Sequence, residues 1–331
     1  MLPFERIKRT VLTKVDTDTS PKFGKRPEER TVKEILDYGI VNVDKPQGPT
    51  SHQISAYVKK ILHLQKAGHS GTLDPPVTGV LPTAIGRGTK IVQVLLTAGK
   101  EYVAIMHLHD DIPEGRVRKT MDEFVGKITQ LPPVRSAVKR EYRQRSIYYA
   151  NIIEVEGRDV LFRVGCEAGT YIRRLCEDVG KKLGTGGHMV ELRRTKVGPF
   201  DEKSLSLLQD LADAYHYHKE GKDEYLKSII QPIERATDHL PKIWVMDTTV
   251  DSMAHGAILH LPGVAKVETE IQKEDLVAVM TLKGELVAYG RSSMTTDEMM
   301  EKQRGVVMHP LRVFMETGVY PKVERERKDT T

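Results

Sequence analysis

The chain has 331 residues, 39% of them hydrophobic and 29% charged, with a formal net charge of +5. That length points to two domains rather than one, and no apolar run approaches the ~18 residues that a membrane helix requires. The two cysteines, Cys166 and Cys176, form no CxxC, and the twelve histidines are scattered without a matching ligand set. Neither a disulfide framework nor a metal site is therefore expected.

The opening "MLPFERIKRT" lacks the apolar segment of a signal peptide, so a cytoplasmic protein is expected. Residues 1–38 are polar, charged and rich in turn formers, and they read as an N-terminal extension packing on the C-terminal domain. A domain opens near Tyr38, where "YGIVNVDKPQGPTS" predicts a strand running into a Pro/Gly loop. A helix follows, with Thr50 and Gln53 as a capping box and Ile54, Tyr57, Val58, Ile61 and Leu62 as one apolar face.

"GHSGTLDPPVTGVLP", residues 68–82, then sets three glycines and three prolines around one carboxylate, Asp74. "KIVQVLL" predicts a short helix, and "EYVAIMHLH" and "VLFRVGC" predict strands. The first strand is apolar on both faces and is therefore expected to be central. "TYIRRLCEDVGKKLG" predicts a helix from about Thr170, buried along Ile172, Leu175, Cys176, Val179 and Leu183 and stopped at Gly184. The mixture lacks regular βαβ alternation and implies an α+β domain. Near 218–242 the composition turns charged. From 243 to 320 short apolar runs alternate with turns, as in a small β-rich second domain, and 321–331 reads as a tail.

Basic residues cluster in "RSAVKREYRQR", which holds Arg140, Arg143 and Arg145, and in "LRRTK", residues 192–196. Such blocks either follow a phosphate backbone or form a solvated face.

A loop dense in glycine and proline holds one shape at low entropic cost, as a nucleophile requires. Asp74 reads equally well as a turn residue bonding its own backbone. Glycoside hydrolysis would need a second carboxylate, and none is evident. Tyr171 and Arg173 fall in the first helical turn, off the apolar face, where the positive helix end favours an anion. Arg173 there could orient a carboxylate, or simply face solvent. The phosphate-cradling GxxxxGK[ST], the dinucleotide GxGxxG and the GxSxG elbow are all absent.

Three segments in order, "VDKPQGPTSH" (43–52), "GHSGTLDPPVTGVLP" (68–82) and "GTYIRRL" (169–175), followed by "ELRRTKVGPF", resemble the TruB-type pseudouridine synthase family. The resemblance covers 39–236, and 243–320 looks like a PUA domain, an RNA-binding β pseudobarrel. It implies a catalytic domain with a mixed, mainly antiparallel sheet flanked by helices. "LHLQKAGHSGTLDP", "KEYVAIMHLH" and "LPPVRSAVKREYRQRSIYYANIIEVEGRDVLFRVG" are similar to the archaeal, dyskerin-like branch, the catalytic subunits of box H/ACA ribonucleoproteins.

That resemblance makes Asp74 the catalytic aspartate of an isomerisation that needs no metal or cofactor. It maps Tyr102 onto the residue stacking on the extruded uridine, Tyr171 onto a proton carrier beside C5, and Arg173 onto the partner of Asp74. Leu192 becomes a pocket wall, and His69 matches a histidine that in bacterial enzymes fills the space the base leaves. Lys45 and Pro46 become buttresses of the active-site loop, and Lys90 a phosphate contact. His255, Gly256 and Gly263 fall where the PUA domain would grip a guide RNA, or form a β-turn with a packed histidine.

The implied partners are a box H/ACA guide RNA, substrate ribosomal RNA and possibly transfer RNA. A small zinc-ribbon protein, a Gly/Arg-related β-barrel protein and a kink-turn-binding ribosomal protein complete the set. The rival readings are a guide-independent enzyme for the T-arm uridine of transfer RNA and a non-catalytic RNA scaffold. After "SAVKR" the chain passes almost directly to the next strand, without the longer insertion of stand-alone bacterial enzymes, which favours the guided reading.

Overall fold

The strand Gly39–Lys45 is buried along nearly its whole length, as a strand covered on both faces must be. In the computed structural model, which describes residues 1–132 and 139–322, it belongs to a ten-stranded sheet. From this strand the sheet runs through Thr78–Ile85, Gly187–Val197, Lys100–Leu108, Asp159–Cys166, Arg143–Glu156 and Gly126–Gln130. These neighbours pair antiparallel, with one exception. Thr78 and Gly79 lie parallel to Arg193 and Arg194, a short join in mid-sheet.

The expected central position of "EYVAIMHLH" holds, since Lys100–Leu108 has a strand on either side. The helix Ile172–Leu183 buries Ile172, Leu175, Cys176, Val179 and Leu183 against Ala104, Met106, Phe162 and Val164 of the sheet. Each large apolar side chain buried there contributes roughly 1.5–3 kcal/mol. The helix starts later than the sequence suggests, with Tyr171 as N-cap, and ends at Gly184 in the left-handed region (φ 84°), which glycine adopts without strain. Ser51–Ile61 begins at the capping box, where Thr50 Oγ1 accepts from Gln53 N at 3.2 Å and Gln53 Oε1 from Thr50 N at 2.8 Å. Such a cap contributes about 1 kcal/mol.

The chain divides into two compact units, Met1–Arg6 with Gly39–Gln231, and Ile7–Tyr38 with Pro232–Thr331. In the second, seven strands lie in the order Val11–Thr13, Val264–Glu268, Lys242–Val245, Leu276–Thr281, Leu286–Ser292, Val306–Val313 and Leu259–His260. Within residues 1–38, Val11–Thr13 is thus a sheet strand, and Val32 and Ile35 are buried. "VMDTTV" is not the β-run that alternation suggested: Asp247–Ala254 is a helix, with Val250 and Met253 packed into the core three residues apart.

Candidate active site

Asp74 sits on a loop whose backbone is held almost residue by residue. Leu73, 4% exposed, anchors the near side, and its N–H donates to Ser51 Oγ at 2.8 Å. Gly48 N–H donates to Pro75 O at 2.9 Å, and Val77 N–H donates to Asp74 O at 3.0 Å. Beneath the loop, the buried Lys45 ammonium donates to Pro46 O, Pro75 O and Val77 O at 2.9, 3.1 and 2.7 Å. Burial pushes the Lys45 ammonium below its ordinary range, and the Asp74 charge partly offsets the shift. The backbone is locked while the carboxylate stays half exposed at the tip.

Arg173 of the helix Ile172–Leu183 donates through Nη2 to Asp74 Oδ2. Its helix start is pinned by Gln130, which accepts from Tyr171 N at 3.0 Å and donates to Tyr171 O at 3.1 Å. The N-terminal helix end adds positive potential beside the carboxylate.

Tyr102 and Arg194 face one another across paired strands, as do Ala104 and Leu192. The Arg194 guanidinium acts electrostatically on the Tyr102 hydroxyl. Burial pushes the hydroxyl's pKa up, with the Asp74 charge adding to the rise and Arg194 opposing it. Tyr102 and Leu192 pack their apolar surfaces on the core below. His69 ends the short strand Ala67–His69, where its Nδ1 accepts from Gly71 N at 3.3 Å, and burial lowers its pKa. Pro46 and Lys90 are exposed. One ion-paired carboxylate, a ring, an apolar wall and an open approach suit a reaction on a flat, extruded base.

Residues 59–172 match the TruB family pseudouridylate synthase N-terminal domain, and 173–238 the tRNA pseudouridylate synthase B C-terminal domain. Residues 241–314 match the PUA domain, and 3–55 the DKCLD domain. The chain is 55% identical over 320 residues to "Probable tRNA pseudouridine synthase B" of Pyrococcus abyssi, covering 96% of each chain. It belongs to the TruB family of pseudouridine synthases.

The counterpart from Methanopyrus kandleri is 53% identical, over 97% of this chain and 95% of its own. Among solved structures, a chain of the "Crystal Structure of a Cbf5-Nop10-Gar1 Complex" matches with a TM-score of 0.93 at 53% identity, covering 98% of this chain and 99% of the other. One from the "Structure of H/ACA RNP bound to a substrate RNA containing 2'-deoxyuridine" matches at 0.91 and 51%, covering 98% and 100%.

In this TruB-family chain the basic side chains of the block "LRRTK" are ion-paired or buried. Arg193 is bonded to Asp44 at 3.0 Å and to Glu202 at 2.6 Å, and Lys196 to Glu5 at 2.6 Å. Arg194 is 1% exposed. Of the other basic block, Arg135 to Val138 lie outside the described residues, as does most of the 321–331 tail. Arg140 is exposed, Arg143 reaches Glu141 at 3.5 Å, and Arg145 reaches Glu167 at 3.7 Å.

In the PUA region, His255 and Gly263 line a cleft of about 570 Å³ with Thr249, Asp251, His260 and Lys322. His255 ends the helix Asp247–Ala254, bonded through Nδ1 to Asp251 O at 2.8 Å, and Gly256 follows at φ 88°. A Cβ on Gly263 would lie 2.6 Å from Thr249 Oγ1, so this wall admits only glycine without a shift. Among the described residues no group of three or more His, Cys, Asp or Glu could hold a metal ion, and no helix is long and apolar enough to cross a membrane.

Proposed function

We propose that this pseudouridine synthase acts on ribosomal RNA at uridines selected by a box H/ACA guide RNA. The observation that carries this reading is the likeness, over nearly the whole chain, to a subunit of an H/ACA ribonucleoprotein holding substrate RNA. Counterparts of Nop10 and Gar1, a small zinc-ribbon protein and a Gly/Arg-related β-barrel protein, would assemble with it in the cytoplasm, together with a kink-turn-binding protein. Residues 39–236 carry the chemistry and 243–320 grip the guide.

The extruded uracil stacks on Tyr102 against Leu192. Arg173 aims the Asp74 carboxylate. Asp74 attacks the nucleotide at the ribose C1′ or at the base, the N1–C1′ bond breaks, and the held uracil turns. C5 then bonds to C1′, the bond to Asp74 breaks and returns the free carboxylate, and the C5 proton leaves, with Tyr171 beside it as carrier, while N1 gains one. Nothing is oxidised or reduced, so the carboxylate and its neighbours suffice. His69 and Lys90 face the RNA, and Lys45 and Pro46 hold the loop.

The test is pseudouridine formation in a ribosomal RNA fragment, using the chain and its protein partners with and without a matching guide. Product only with guide supports the reading. A second reading, direct action on transfer RNA, is favoured by the names of the curated relatives. Equal turnover of bare transfer RNA would put it first.

A further inference from the structure

Arg194 is the largest fully buried side chain among the described residues, and no carboxylate there is ion-paired to it. A charge removed from water without a counter-ion costs several kcal/mol unless its donors are satisfied. Its partners are specific. Nε donates to Val80 O at 2.8 Å and Nη2 donates to Gly71 O at 3.4 Å, and Tyr102 is the cross-strand neighbour of Arg194. Gly71 and Val80 stand on either side of the Asp74 loop, one before it and one after it.

The backbone of Arg194 meets the same loop. Gly79 pairs with it in the parallel join at φ 101°, and a Cβ there would collide with Arg194 O. A planar fork with five donors presents them at separate, fixed positions, whereas an ammonium gathers its acceptors around a single point.

We propose that Arg194 is a positioning residue for pseudouridine formation. It fixes both ends of the Asp74 loop and the hydroxyl edge of Tyr102 to one strand, so that carboxylate and stacking ring are aligned before RNA arrives. The buried charge is retained because no apolar side chain would hold those groups in register. The inference rests on Asp74 as the reacting carboxylate.

The experiment is a single-turnover rate in the fully assembled complex, measured with RNA affinity and thermal unfolding, for Arg194→Lys, Tyr102→Phe, the double variant and Asp74→Asn. Arg194→Lys should react about a hundredfold more slowly, the order that a ~1 Å misplacement produces, with RNA affinity unchanged within about twofold. Tyr102→Phe keeps the stacking area and should slow the native protein, yet slow the Arg194→Lys background far less, since the proposed link between the two side chains is then already lost.

A native rate for Arg194→Lys would overturn the proposal, as would equal slowing by Tyr102→Phe in both backgrounds or a rate loss matched by lost RNA affinity. Should Arg194→Lys not fold, a native rate for Tyr102→Phe alone would overturn it. Inactive Asp74→Asn beside native-rate Arg194→Lys sinks only the positioning role. Active Asp74→Asn sinks the reading beneath it.

Discussion

The Asp74 carboxylate and the Arg173 guanidinium are hydrogen-bonded although 99 positions apart in the chain. One rides on a loop entering the sheet at its parallel join, the other on the first turn of a helix packed on the same sheet. The pair therefore exists only when both elements have docked. Both side chains are about half exposed, 52% and 45%, so its contribution to stability is within ~1 kcal/mol.

That small energetic value separates folding from chemistry. Arg173→Lys should leave the denaturant midpoint nearly unchanged, yet slow turnover by about a hundredfold, because a point charge loses the fork that aims the carboxylate. Equal losses in stability and rate would mean that the arginine serves the fold instead.

Asp74→Asn is the sharper case. An uncharged isostere removes the attacking group and little binding surface, so isomerisation should vanish while RNA affinity stays within several-fold. Loss of RNA binding in a filter assay would point to a structural aspartate.

Lys100 supplies a pH signature. Its buried ammonium donates to Leu95 O, Leu96 O and Ala98 O at 3.0, 2.8 and 2.7 Å, and burial beside Arg194 pulls its pKa down to about 7 from the ordinary 10.5. Above about pH 7 the folded chain has released a proton that the unfolded chain keeps until about 10.5, so this group's contribution to stability rises with pH across that window. Relative to Lys100→Met, the native protein should gain up to ~1.4 kcal/mol per pH unit there. Urea unfolding at several alkaline pH values checks this, and parallel curves for the two proteins would count against it.

In the second unit, Arg30 and Glu234 form a nearly buried pair at 2.8 Å, and Glu234 also accepts from Leu286 N at 2.9 Å. Glu234→Ala strands both partners and should cost about 3 kcal/mol in denaturant unfolding. A loss below ~1 kcal/mol would show that water replaces the carboxylate.

Gly263→Val should push Thr249 into the cleft beside His255, weakening guide RNA binding about tenfold without slowing a substrate that needs no guide. Unchanged guide affinity would place the grip elsewhere.

Much of this is legible in the sequence. Thr50 with Gln53, and Gly184 after an apolar helix face, are local signals with local causes, and they appear in the fold as read. The motif around Asp74 could be read for the same reason, since its glycines and prolines encode the loop in the chain itself. The partnership with Arg173 became legible only through family resemblance, because nothing local joins two residues so distant.

Arg194 escaped because "LRRTK" reads as surface charge. Only the carbonyls of Gly71 and Val80, more than a hundred positions away, hold one of those arginines inward, and its sole local trace is a basic residue within a strand of the sheet. Asp247–Ala254 escaped for a similar reason: its packing partners, and the bond from Gly318 N to Asp251 Oδ1 at 2.7 Å, lie far along the chain.

The two cysteines bear on how this enzyme can be studied. Cys166 and Cys176 are fully buried, and burial pushes both thiols up to about 12. The thiolate is the form that alkylating reagents capture, and burial disfavours it at both positions. A single cysteine introduced at an exposed position such as Lys90 would therefore take a maleimide dye selectively, with no need to remove the native pair. The native chain should then give no background signal, leaving such a dye free to report RNA arrival and release.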